Sequence, residues 1–143
     1  MKIMRRLVNL SRSEFRSLLE AGLWVMTIRL GLWCCPFKIV WHWTRKTAQR
    51  GRCDAPADVA RASRGAWAVR VVSRYVPEAT CLTQALALYG ILQRAGINCE
   101  LRLGVAKATA DRLSAHAWVD DHGQVLPPGP EAASYSPFPD LKG

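Results

Sequence analysis

The chain has 143 residues, 50% of them apolar and 22% charged, with a formal net charge of +9. That length allows one domain with a real core, the apolar half excludes intrinsic disorder, and ten Gly with eight Pro exclude collagen-like and low-complexity classes. The charge is uneven: residues 1–80 hold fifteen Lys and Arg against five Asp and Glu (+10), and residues 81–143 hold five against six (−1).

In chain order, residues 2–35 read as one or two helices. The most apolar stretch, residues 21–37, is followed by Pro36, Phe37 and Lys38 rather than a small-residue cleavage site, which argues against a signal peptide. It is shorter than a bilayer span and carries Arg29 near its middle. Leu19, Leu23, Met26, Leu30 and Trp33 recur at three- and four-residue intervals. They predict a helix that packs this face on the core and ends near Pro36. A helix lying on a membrane surface is the second reading, because Trp33, Trp41, Trp43 and the basic residues suit an interface. A true span is the third. Residues 38–50 read as a basic connector, helical or extended. Asp54 and Pro56 predict the start of a helix that runs to about Tyr75, with Arg61, Arg64, Arg70 and Arg74 outward.

Thr80 is an N-cap residue, and Leu82 to Ala95 is apolar, small or aromatic at almost every position. Gly96 closes this run, which predicts a buried central helix. The period then changes to two. Ile97, Cys99, Leu101, Leu103 and Val105 alternate with polar residues and Gly104, as in a half-buried strand. Residues 106–113 read as a loop and 114–120 as a second strand. Asp121-His122-Gly123 is a hairpin turn, and Gln124-Val125-Leu126 is the returning strand. The tail from Pro127 reads as an irregular wrap.

The five Cys are odd in number and form no C-x-x-C, and His42, His116 and His122 do not join them in a zinc spacing. No disulfide framework, metal or other cofactor is expected, and the thiols point to a reducing compartment. Cys34 and Cys35 read as helix-packing thiols and Cys99 as an inward, inert one. No nucleic-acid recognition motif accompanies the basic half, so nucleic acid is not an expected partner.

Cys81 stands at the start of the central helix, where free N–H groups and the helix dipole stabilise a thiolate and can hold an oxyanion. His116 shares a strand face with Ser114 and Trp118. If that face looks at the helix start, the imidazole can take the thiol proton and return it to a leaving amine. The bland alternative is a small core cysteine and a satisfied strand histidine.

The residues Cys81-Leu82-Thr83-Gln84-Ala85-Leu86-Ala87-Leu88, then Gly96-Ile97, Leu103-Gly104-Val105 and Ala115-His116-Ala117-Trp118-Val119 resemble the transglutaminase-like leader peptidases of lasso-peptide (microcin-type) biosynthesis. The match is closest over about residues 60–126. The resemblance implies an α+β, papain-like/transglutaminase-like core, with a buried Cys-bearing helix packed on a small antiparallel sheet and N-terminal helices before it. It divides the chain into a basic helical region, 1–50, and a peptidase core, 51–143. It implies a cysteine peptidase that removes the leader of a ribosomally made precursor, with Cys81 as nucleophile and His116 as general base. Implied partners are the precursor leader peptide, a small leader-binding protein and an ATP-dependent macrolactam cyclase. The location would be cytoplasmic, free or in contact with a membrane surface.

The chain departs from this family at the third catalytic position. Pairing Asp121 with Gln124 puts Gly129 opposite His116, within a Pro127–Pro130 run that holds no carboxylate. Asp120 shares the face of His116 but lies four residues away, too far to orient the ring. Glu131 is the nearest acid beyond the gap and is the candidate third catalytic member, reaching back if the Pro-rich turn folds in. A bare Cys–His dyad, or a non-catalytic module that binds precursor or cyclase, are the alternatives. Gln84 is either an oxyanion donor or a packing and capping residue, and Trp118 lines a substrate groove or packs in the core.

Overall fold

The computed structural model describes residues 11–51, 58–109, 112–121, 124–126 and 136–137. Helix α1 spans Arg12–Cys34 and starts from a reciprocal cap. The Ser11 N–H donates to Glu14 Oε2 at 2.8 Å, and the Glu14 N–H donates to Ser11 Oγ at 3.3 Å. The same backbone bond holds the Glu14 carboxyl below its ordinary 4.5. Pro36 separates α1 from α2, Phe37–Arg50, so the basic connector is helical. Helix α3, Val59–Ser73, is capped by Asp58, whose Oδ1 accepts the Arg61 N–H at 2.9 Å. The expected starting residues, Asp54 and Pro56, lie outside the described residues.

Helix α4 spans Cys81–Arg94, with Thr80 as N-cap and Gly96 just past its end. Gly96 takes φ of 82°, which a side chain would oppose. That turn lets the Ile97 N–H bond back to Leu92 O at 3.0 Å and the Gly96 N–H to Gln93 O at 3.1 Å. The chain then reverses into the sheet.

Strands β1 (Glu100–Thr109), β2 (Arg112–Asp121), β3 (Gln124–Leu126) and β4 (Ser136–Pro137) form an antiparallel sheet in the order β3-β2-β1-β4. The β1–β2 ladder runs from Glu100↔Asp120 through Gly104↔His116 to Thr109↔Arg112, with a register shift between Lys107 and Thr109. Most of residues 106–113 are therefore strand, not loop. Their side chains carry no alternating apolar signal, but the backbone ladder continues through them. The β2–β3 turn has the expected register, Asp121↔Gln124.

One apolar core joins the four described helices to the sheet. It includes Ala21, Val25 and Ile28 of α1, Val40 and Ala48 of α2, Ala68 and Val69 of α3, and Leu86, Leu88 and Ile91 of α4. Leu101, Ala117 and Val119 bring the sheet into it. The Gln93 amide donates to Cys99 O at 3.0 Å and ties the end of α4 to the approach to β1.

The expected inward face of α1 is overturned. Leu19, Leu23, Met26, Leu30 and Trp33 are exposed, Leu23 at 70% and Trp33 at 76%. The helix buries the opposite side, with Ala21, Trp24, Val25 and Ile28. The reason lies in the partner surface. A Cβ on Gly90 would come within 2.7 Å of the Trp24 ring, so α4 offers a glycine where the indole lies flat. Cys34 and Cys35 are exposed as well, which corrects their reading as packing thiols. They close the last turn of α1, beyond the residues that pack inward. Cys99 is buried, as its place in the strand pattern predicts. Cys53 lies outside the described residues.

Candidate active site

Cys81 is the first residue of α4 and is half-buried. Thr80 Oγ1 accepts the Thr83 N–H at 3.4 Å, and Thr80 O accepts the Gln84 N–H at 3.1 Å. The N–H groups of Cys81 and Leu82 have no acceptor within the helix, which leaves the positive end of α4 beside the thiol. The Gln84 side chain donates through Nε2 to Ala79 O at 3.1 Å, so one of its two N–H donors braces the segment before the cysteine.

A second brace comes from α1. Glu78 holds a left-handed backbone, φ of 56°, three residues before Cys81, and its carboxylate pairs with the Arg29 guanidinium. This tie crosses two elements that are distant in sequence, and no local pattern signals it.

His116 lies on β2 opposite Gly104, four residues into β1. Gly104 brings no side chain against the ring from β1. His116 is half-buried, and desolvation pushes its pKa below the ordinary 6.5. It is therefore neutral at pH 7, the form that accepts a proton.

Alternation along β2 separates two sets of side chains. Ala117 and Val119 face the core that contains α4. His116, Trp118 and Asp120 occupy the other face, with Glu100, Gly104 and Arg102 as their cross-strand neighbours. The structure brings Cys81 and His116 onto packed elements, α4 and β2, but does not place His116 on the face packed against α4. Trp118 is 5% exposed and lies outside the main core cluster.

Asp120 is committed elsewhere. Its Oδ2 lies 3.9 Å from Arg102 Nε, and Arg102 also bonds Glu100 at 2.7 Å. Sequence reading missed this ion cluster because it exists only once the β1–β2 register is known. Glu131 and Pro127–Pro130 lie outside the described residues. Among the described residues no group of three or more His, Cys, Asp and Glu side chains is placed to hold a metal ion.

Residues 31–139 match the family described as the transglutaminase-like superfamily, and the chain belongs to it. No curated protein and no solved structure matches the chain. The matched region starts near the end of α1 and takes in α2, α3, α4 and the sheet, with both Cys81 and His116 inside it.

Proposed function

We propose that the chain is a cysteine peptidase in which Cys81 attacks a peptide carbonyl and His116 is the general base. The observation that carries this reading is Cys81 at the N-terminus of α4, the helix packed on the strand that bears a neutral His116. The thiol gives its proton to the imidazole, and the thiolate attacks the carbonyl carbon. The free N–H groups of the helix start face the developing oxyanion. The imidazolium then protonates the leaving amine, and water hydrolyses the thioester. Following the resemblance of its Cys81 and His116 motifs, the substrate is the leader segment of a ribosomally made lasso-peptide precursor. The leader-binding protein and the ATP-using cyclase are its companions.

Cys81→Ala and Cys81→Ser are expected to abolish cleavage of the precursor while leaving the far-UV circular dichroism and melting temperature close to the parent. Unchanged processing by Cys81→Ala would sink the reading.

A second reading has its own observation. His116 lies on the strand face away from α4. On that reading the chain binds precursor or cyclase without cleaving it. Labelling with iodoacetamide at pH 7 separates the two: rapid alkylation of Cys81 supports the peptidase, and an inert Cys81 supports the binding module.

A further inference from the structure

Helix α1 has two apolar sides, and only one is used. Its inner side packs on α3 and α4, so the helix is committed to the protein along its length. Its outer side presents Phe15, Leu19, Leu23, Met26, Leu30 and Trp33. From Phe15 to Trp33 this stripe runs for about 27 Å at 1.5 Å per residue. Soluble surfaces seldom show a continuous apolar strip of that length without a partner. The strip also lies almost wholly outside the region matched to the superfamily, which begins at residue 31.

The charge beside the stripe points to what covers it. Phe15, Leu19 and Leu23 form one lip of an open groove of about 1510 Å³. The same groove is lined by Arg12, Arg16, Arg61, Arg64 and Arg94, with Glu20 as its one acid. Glu20 is shared between Arg61, at 3.2 Å, and Arg94, at 3.9 Å. Arg64 Nε is buried with no hydrogen-bond partner among the described residues. The far end of the stripe carries Trp33, with Lys38 exposed just beyond it. A row of apolar side chains next to a guanidinium-lined groove matches acyl chains next to anionic headgroups.

We infer that the outer face of α1 docks the protein on an anionic lipid surface, with Leu19, Leu23, Met26, Leu30 and Trp33 in the acyl boundary and the groove arginines on the headgroup phosphates. The four- and three-residue spacing of these side chains also fits the seam of a helix pair. The five arginines that line the groove find a match in anionic headgroups that a second, equally basic copy would not offer, and this favours lipid.

The test uses the full chain and sedimentation with vesicles. One set is an equal mixture of phosphatidylglycerol and phosphatidylcholine, and the other is phosphatidylcholine alone. The parent is expected to sediment with the anionic set and at least tenfold more weakly with the neutral one. The Leu23→Glu/Leu30→Glu double variant is expected to lose at least tenfold in partitioning. Both positions are exposed, so its circular dichroism and melting temperature should match the parent. The Arg12→Gln/Arg16→Gln variant keeps the stripe and is expected to weaken binding on anionic vesicles only. No sedimentation of the parent, equal binding to both vesicle sets, or unchanged binding of L23E/L30E would each overturn the inference. So would a lipid-free dimer that L23E/L30E dissolves without any vesicle binding, since that assigns the stripe to a second copy. None of these readouts depends on peptidase activity.

Discussion

His116 is the residue on which the chemistry turns. Its pKa is lowered, and the cause is loss of solvent. The folded state therefore binds fewer protons here than the unfolded chain. The associated stability is fully present above about 6.5, the unfolded value, and is lost as pH falls through the lower folded value. The melting temperature of the parent should drop more steeply below pH 6.5 than that of His116→Gln, measured by calorimetry across pH 5–7.5. If peptide cleavage is the activity, its rate should rise with pH through the same region and level off near neutrality, because only neutral imidazole accepts the thiol proton. At this scale the sequence was informative about identity and poor about orientation. Cys81 and Thr80 are legible because helix starts use local hydrogen bonds. The face that His116 shares with Trp118 is legible from period two. Which of the two faces packs on α4 depends on long-range packing, and no neighbouring residue states it.

At the scale of elements, α1 shows how periodicity can find a helix and misplace its inside. The helix carries Leu19, Leu23, Met26, Leu30 and Trp33 on one side and Ala21, Trp24, Val25 and Ile28 on the other. Counting larger side chains favours the first set. The second set wins because it is complementary to a glycine-bearing surface on α4. Trp24 lies over Gly90, where an added Cβ would come within 2.7 Å of the ring. Gly90→Ala isolates this effect. Helix propensity alone would stabilise the variant by up to about 1 kcal/mol. The methyl group must displace a buried indole, which typically costs about 1–3 kcal/mol. The net expectation is destabilisation of up to about 2–3 kcal/mol, read from urea midpoints. A stabilised Gly90→Ala would show that Trp24 can move aside without cost. The hairpin of β1 and β2 teaches a related lesson. Residues 106–109 extend the ladder although no apolar alternation marks them, since main-chain bonds do not need it.

At the scale of the whole molecule, the charge break at Cys81 separates two kinds of surface without separating two cores. The +10 part supplies α1, α2 and α3, and the −1 part supplies α4 and the sheet, yet their buried side chains form one cluster. Helix α1 makes this concrete. Its sequence falls mostly outside residues 31–139, but Trp24 covers Gly90 and Arg29 grips Glu78 just ahead of Cys81. The region matched to the superfamily is thus smaller than the unit that packs around one core. A chain begun at Cys35 keeps nearly all of the matched region and loses the cover of Gly90 together with the grip on Glu78. It should melt without a cooperative transition, where the full chain melts sharply, as calorimetry would read. Helix α1 thus works as a built-in clamp on the helix that carries the thiol, applied from outside the region matched to the superfamily.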